Sequence, residues 1–143
     1  MGRIKQSQIT YWCHEIIRSQ AEAGGCYIDA TMGKGNDTLF LCELAGENGK
    51  VLAFDIQQEA LDATRELLRI HGKEQQAELI LDGHEHMDRY AMEESTDVIC
   101  FNFGYLPGGD HKLATTYQTS IEAIGKGLGI LKHGGMMSLC IYS

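Results

Sequence analysis

Two short segments of the chain carry the residue types that could do chemistry. The first is DATMGKGNDT at residues 29–38 and the second is NFGYLPGGD at residues 102–110; each follows an apolar run that predicts a buried strand. In an open parallel α/β sheet, ligands bind at the carboxyl ends of the strands, near the point where the strand order reverses. We therefore expect both segments to border one ligand site.

The first segment has the composition of a loop that binds a ligand through its backbone. Gly33 and Gly35 permit a close approach and a positive φ. Asn36 and Asp37 suit the start of a helix. A plain strand-to-helix turn is the alternative, because two glycines alone are a weak signal. The next apolar run ends in Asp55, at the spacing where a carboxylate binds the hydroxyls of a ribose, and this predicts a nucleoside-containing cofactor.

The acids near the glycines favour one class of cofactor. A dinucleotide-binding turn carries a third Gly or Ala where Thr38 stands, and it binds a pyrophosphate at the helix N-terminus. Asp29 and Asp37 would repel a pyrophosphate, whereas they attract the sulfonium and ammonium groups of S-adenosylmethionine. The sequence therefore predicts S-adenosylmethionine, and a nicotinamide cofactor is the alternative.

The chain also resembles a known family from about Tyr11 to its last residue. The resemblance rests on the segment at 29–38, on AFDIQ at 53–57 and on NxGYLPGGD at 102–110, the last of which is specific to the family. The family is that of the rRNA methylase-like proteins, whose members methylate the aminomethyl group of the wobble thiouridine in tRNA. The resemblance implies an S-adenosylmethionine-dependent N-methyltransferase that acts on aminomethyl-2-thiouridine in the anticodon region.

The predicted cofactor-binding residues lie at the ends of four apolar runs. His84 is expected to border the adenine, and Lys34 either pairs with the cofactor carboxylate or reaches solvent. His84 and His86 alternate without supporting cysteines, which is a weak metal signal, so we predict no metal. The full set is Asp29, Thr31, Gly33, Lys34, Gly35, Asn36, Asp37, Thr38, Asp55, Ile56, Gln57, Gly83, His84 and Asn102.

The segment at 102–110 is the predicted place of the chemistry. Methyl transfer is an in-line displacement, so the protein mainly supplies position. Asn102 offers a side-chain oxygen that accepts a hydrogen bond from an amine and points its lone pair at the methyl group. The segment resembles, with changes, the Asn-Pro-Pro-Tyr element of amino-group methyltransferases, in which Tyr105 keeps the aromatic ring and could stack on the base. Asp110 and His111 are candidates for receiving the amine proton, and Phe103 is interpreted as a packing residue.

Apolar periodicity predicts an α/β domain. The strands are expected at 26–29, 50–55, 77–81, 97–103 and 136–142, and the helices at about 36–45, 60–68 and 117–131. A leading helix should pack on the sheet through Ile9, Trp12, Cys13, Ile16 and Ile17. We expect a Rossmann-like class I S-adenosylmethionine methyltransferase fold, a parallel sheet of order 3-2-1-4-5, in a single domain that lacks the C-terminal strands of the fold and leaves its fifth strand as an edge.

Composition indicates a cytoplasmic protein without a membrane segment. The chain has 143 residues, and its five cysteines form no CxxC pair, which suits a reducing compartment. A net charge of −8 excludes a generally basic surface, although tRNA binding depends on phosphate contacts. Arg3, Lys5, Lys34 and Lys112 either form a local tRNA-binding patch near the site or are ordinary solvated charges, and a second copy in a homodimer is the other source of a tRNA contact.

Other functions are consistent with the same motifs. One is methylation of a different RNA position, such as one in rRNA, or of a small amine. Another is a catalytically inactive nucleotide-binding module. The negative charge favours the inactive module, whereas the segment at 102–110 favours the tRNA methyltransferase.

Overall fold

Helices and strands alternate along the part of the chain that the structure describes. This is a computed structural model that describes residues 6–103 and 110–141, with side chains at 7–103 and 118–141. Two short 3-10 helices, Glu74–Gln76 and His84–Arg89, flank the third strand. The main elements are α1 (Gln6–Gln20), β1 (Cys26–Asp29), α2 (Asn36–Ala45), β2 (Lys50–Asp55), α3 (Gln58–Ile70), β3 (Ala77–Leu81), β4 (Thr96–Phe103), α4 (Asp110–Ile130) and β5 (Leu131–Ile141).

The described strands form one parallel sheet of order β3-β2-β1-β4-β5, as predicted. The strand order reverses at β1, where β2 lies on one side and β4 on the other. Asp29, the last residue of β1, is in register with Ala53 of β2 and Cys100 of β4. The carboxyl ends of these three strands therefore meet at the switch point of the sheet, where ligands bind in this architecture.

The sheet is covered by helices on both faces. Neighbouring residues of a strand point to opposite faces, and Tyr27 accordingly packs in one core while Ile28 packs in the other. The first core also contains Ile17 of α1 and Leu41 of α2. The second core contains residues of α4, such as Ala123. This arrangement places α1 and α2 on the same face, next to the switch point.

Most predicted boundaries are confirmed, and the largest differences lie near the C-terminal end. The strands at 26–29, 50–55 and 77–81 match the prediction, but α4 begins at Asp110 instead of 117 and β5 at Leu131 instead of 136. Gly127 lets α4 lie close to the sheet, because a Cβ there would be 2.7 Å from the Met137 Cε. A register shift in β4 between Thr96 and Val98 accommodates the longer β5.

The predicted apolar face of α1 is only partly buried. Ile17 is 1% exposed, whereas Trp12 and Ile16 are 51% and 52% exposed. The prediction that the apolar face of α1 packs on the sheet is therefore wrong for Trp12 and Ile16. These two side chains lie on the helix that contacts β5, the last strand of the sheet within the described residues. Within the described residues, the helical stretches are too short or too polar to cross a bilayer.

Candidate cofactor and acceptor site

The loop between β1 and α2 has a shape that only glycine permits at one position. Gly33 and Gly35 have φ values of +53° and +91°. A Cβ on Gly35 would lie 2.7 Å from Oγ1 and 2.8 Å from Cγ2 of Thr64, so α3 packs directly against the loop. The Thr64 hydroxyl also donates a hydrogen bond of 3.1 Å to the Gly33 carbonyl. Packing against α3 therefore determines the conformation of this loop, and Lys34 and Asn36 are exposed on it.

Asp29 and Thr38 hold the loop from beneath. Asp29 is fully buried, and its two oxygens accept hydrogen bonds from the Thr31 backbone N–H at 3.1 Å and the Thr38 hydroxyl at 2.6 Å. Burial, with a contribution from the nearby charge of Asp37, raises the pKa of Asp29 to about 7. Thr38 is also fully buried. Both residues therefore support the loop from the protein interior, and their predicted contact with the cofactor stays a prediction.

Asp55 connects the glycine loop to the end of β2. Its Oδ2 accepts a hydrogen bond of 3.1 Å from the Gly33 N–H, and its Oδ1 accepts one of 3.0 Å from the Gln57 N–H. Each carboxylate oxygen has a second lone pair, so these bonds leave capacity for the hydroxyls of a ribose. Ile56, next to it, is 75% exposed.

His84 joins the end of β3 to the end of β1. Its Nδ1 lies 2.9 Å from the Ala30 carbonyl oxygen, which can only accept, so Nδ1 carries the proton. Burial lowers the pKa of His84 and keeps the ring neutral. Gly83 before it is buried. In the part of the chain that the structure describes, no group of three or more His, Cys, Asp or Glu residues is placed to hold a metal ion.

Asn102, at the end of β4, is joined to the glycine loop by two hydrogen bonds. Its backbone N–H donates to the Thr31 hydroxyl at 2.7 Å. Its side-chain Nδ2 donates to the Asp37 Oδ2 at the start of α2. The predicted acceptor residue and two predicted cofactor residues therefore meet at the switch point of the sheet.

His14 also belongs to this site, although the sequence analysis did not identify it. Its Nε2 lies 2.5 Å from the Asp37 Oδ1, and its ring stacks on Phe40 with 3.8 Å between the centroids. One feature of the sequence pointed to His14: it is spaced four residues from Thr10 and three from Ile17, so the three share one face of the helix. These residues form the stripe of α1 that faces the site.

A small cleft between α1, α2, β4 and β5 lies next to Asn102. Three cysteines line it, and the Sγ atoms of Cys13 and Cys140 are 2.6 Å apart. Burial is the main cause that raises the pKa of Cys140 to about 12 and the pKa of Cys100 well above its usual range. These two thiols are therefore packing groups of the cleft wall. Cys26, by contrast, is exposed.

Three of the residues predicted to take part in the chemistry lie wholly or partly outside the described residues. Tyr105 lies outside the described residues, as do the side chains of Asp110 and His111, whose backbone begins α4. Their roles stay predictions. Phe103 is described, and its ring stacks on Phe101 with 5.5 Å between the centroids, which confirms its interpretation as a packing residue.

The fold and the site together define a class of protein. A parallel sheet of this order, with a glycine loop after β1 and an acid at the end of β2, is the fold of the S-adenosylmethionine-dependent methyltransferases. Residues 51–143 match the family model described as "Putative rRNA methylase". The chain belongs to that family.

Relatives with solved structures share this fold over almost all of the chain. A putative rRNA methylase from Clostridium thermocellum is 40% identical, with a TM-score of 0.81 over 95% of this chain and 72% of its own. A putative methyltransferase from Streptococcus mutans, solved in complex with SAH, is 37% identical, with a TM-score of 0.78 over 96% of this chain and 73% of its own.

A curated relative carries a more specific name. The chloroplastic tRNA (mnm(5)s(2)U34)-methyltransferase of Arabidopsis thaliana is 33% identical over 99% of this chain. The chain spans 54% of the length of that relative.

Proposed function

We propose that this protein binds S-adenosylmethionine and transfers its methyl group to the aminomethyl nitrogen of aminomethyl-2-thiouridine in the anticodon region of tRNA. The observation that carries the proposal is the junction of Asn102 with Asp37 and Thr31 of the glycine loop. This junction joins Asn102, the proposed amine-binding residue, directly to the predicted cofactor loop. The name of the Arabidopsis relative supports the wobble uridine as the substrate.

The cofactor half of the proposal rests on the bond between Asp55 and Gly33. This bond brings the Asp55 carboxylate to the glycine loop, and a carboxylate at the end of the second strand is the group that would bind the hydroxyls of a ribose. His84 and Ile56 border the same edge and would contact the adenine. Lys34 is exposed, which favours contact with solvent over a fixed pairing. The Streptococcus mutans relative was solved with SAH, the product that S-adenosylmethionine leaves after methyl transfer.

The second half of the proposal concerns the transfer of the methyl group to the acceptor amine and the residues that assist it. The amine nitrogen attacks the methyl carbon with its lone pair, the carbon–sulfur bond breaks, and the nitrogen then loses a proton. The Asn102 Oδ1 would accept a hydrogen bond from the amine and direct the lone pair at the methyl group. Tyr105 would stack on the base, and Asp110 or His111 would receive the proton; these three roles rest on the sequence.

The cofactor is tested first, by calorimetric titration of S-adenosylmethionine into the protein and into Asp55→Ala. We expect binding to the wild type and a loss of at least about tenfold in affinity in the variant, since hydrogen bonds to a charged group are worth about 1.5–3 kcal/mol. Asp62→Ala is the matched control, because this acid lies on the exposed side of α3 and accepts a bond from Gln58. Binding of NADH in place of S-adenosylmethionine would contradict the proposal.

The substrate is tested by transfer of a labelled methyl group to purified tRNA that carries the unmethylated aminomethyl group. Label in the wobble nucleoside is the expected result. The family description favours one second candidate, rRNA, which is assayed in parallel. Label in rRNA alone would replace the tRNA proposal, and cofactor binding without transfer to tRNA, rRNA or a small amine would indicate an inactive nucleotide-binding module. The net charge of −8 makes a homodimer that shares the tRNA a further prediction.

A further inference from the structure

His14 is held in a defined place although it lies on the first helix, far in sequence from the glycine loop. Its ring is parallel to that of Phe40, with 3° between the planes, and its side chain is only 19% exposed. The Arg18 guanidinium lies 5.2 Å from the centroid of the same phenylalanine ring. Stacking fixes the plane of the imidazole, and the α1 backbone fixes its height above α2.

Asp37 links His14 to Asn102. Its Oδ1 lies 2.5 Å from the His14 Nε2, and its Oδ2 accepts a hydrogen bond from the Asn102 Nδ2. The Asp37 side chain is 11% exposed, so both bonds are largely shielded from water. Hydrogen bonds to a carboxylate are stronger than neutral ones, and in a shielded place they hold a rotamer well.

The chain of contacts determines how the Asn102 amide is turned. An amide presents an NH₂ group on one branch and an oxygen on the other, and a half-turn of the side chain exchanges them. With Nδ2 bonded to Asp37, the oxygen lies on the opposite branch. If the His14 bond were absent, the Asp37 carboxylate would be held at one oxygen only. It could then rotate, and the Asn102 amide bonded to it would rotate as well.

We propose that His14 is a positioning residue for methyl transfer: through Asp37 it fixes the Asn102 amide in the orientation that presents Oδ1 to the acceptor amine. This inference rests on the proposed function and names a residue of α1 as a part of the same site. His14 acts on the reacting atoms only through Asp37 and Asn102, so its loss should lower kcat and leave the binding of cofactor and tRNA close to normal.

Two substitutions separate the hydrogen bond from the ring. His14→Phe keeps the stack on Phe40 and removes the Nε2 donor, whereas His14→Gln removes the ring and keeps an amide donor that can reach Asp37. We expect His14→Phe to lower kcat about tenfold to a hundredfold with little change in KM, since a misplaced group costs rate more than binding. His14→Gln should recover most of that loss. His71→Phe, at the exposed end of α3, is the matched control and should behave as the wild type.

A second readout does not depend on turnover. The ¹H–¹⁵N signal of the Asn102 side-chain amide, assigned by its disappearance in Asn102→Asp, reports the bond to Asp37. We expect this signal to shift in His14→Phe and to return toward its wild-type position in His14→Gln, with all variants folded by thermal melting.

The two readouts distinguish the inference from the function on which it rests. An unshifted amide signal in His14→Phe would overturn the role of His14, and so would a shifted signal with a wild-type kcat. If the wild type itself transfers no methyl group to tRNA, the proposed function fails, and the amide signal alone then decides whether His14 positions Asn102.

Discussion

The glycine loop and the Asn102 cleft are neighbours at the switch point, but different forces hold them. The loop is stabilised by bonds that involve the backbone, such as those from the Gly33 N–H to Asp55 and from Thr64 to the Gly33 carbonyl. The cleft is held by side chains that meet from separate elements, His14, Asp37 and Asn102. Backbone shape tolerates changes in nearby side chains, whereas a chain of side-chain contacts depends on every member.

The largest effect expected in the loop comes from the buried Asp29 beneath it. A folded-state pKa of about 7 lies above the unfolded value, so the folded protein binds more protons between about pH 4 and pH 7. The free energy of unfolding should therefore fall as the pH rises through that window, by roughly 4 kcal/mol in total. Asp29→Asn should remove this dependence.

Urea unfolding of both proteins at several pH values between 4 and 8 measures this prediction. The difference in the free energy of unfolding between the wild type and Asp29→Asn should change steadily up to about pH 7 and then level off. If the free energies of unfolding of the two proteins instead run parallel as the pH changes, Asp29 is ionised in the folded protein at neutral pH. The loop would then be held by a charge, and it would resemble the cleft more closely than the structure indicates.

Gly35→Ala should destabilise the loop because the new side chain would collide with α3. The residue has φ of +91°, and its new Cβ would lie within 3.0 Å of three Thr64 atoms. Backbone strain and overpacking together should cost about 3 kcal/mol of the free energy of unfolding. Gly46→Ala is the control, because its φ of +68° is also positive but the space is open, and it should cost only about 1 kcal/mol. Equal losses in the two variants, measured by urea unfolding, would exclude packing against α3 as the constraint.

Asn102→Ala should impair the function of the cleft and leave the glycine loop largely unchanged. The variant loses the amide that would direct the amine, so we expect kcat for tRNA methylation to fall about a hundredfold. The affinity for S-adenosylmethionine, measured by calorimetry, should change much less, because the backbone bond from residue 102 to Thr31 remains. A loss of affinity as large as the loss of kcat would mean that the loop and the cleft are one unit.

Thr31→Val tests the Thr31 hydroxyl, which joins the two regions. It removes the acceptor of the Asn102 N–H, which should cost about 1 kcal/mol, and it should weaken cofactor binding and kcat together by a small factor. Thr64→Val is the matched variant, since it removes the hydroxyl bond from α3 to the Gly33 carbonyl and leaves the Asn102 bonds in place. We expect it to raise the Kd for S-adenosylmethionine without changing kcat. Identical kinetic profiles for the two variants would contradict the division into two regions.

Much of the fold could be predicted from the sequence because short apolar runs ending at Asp or Gly mark strands locally. The strand at 50–55 is an example, and the helix at 36–45 is marked in an equally local way by Asn36 and Asp37 at its start. The boundary between α4 and β5 could not be predicted, because glycines weaken a helical or strand pattern when the sequence is considered alone. Gly127 lies in α4 where a Cβ would meet Met137, and Gly134, with φ of +85°, lies between Leu131 and Met136 of β5, where the register with β4 shifts.

The sequence by itself determined the class of fold, the family, and the positions of the glycine loop, Asp55 and Asn102. These depend on residues that are neighbours along the chain, so their pattern is visible without coordinates. Only the tertiary structure decided that Asp29 is buried beneath the loop and that His14 reaches Asp37. Such contacts depend on how α1 and α2 pack on the sheet, and that packing is a property of the whole core that no local pattern records.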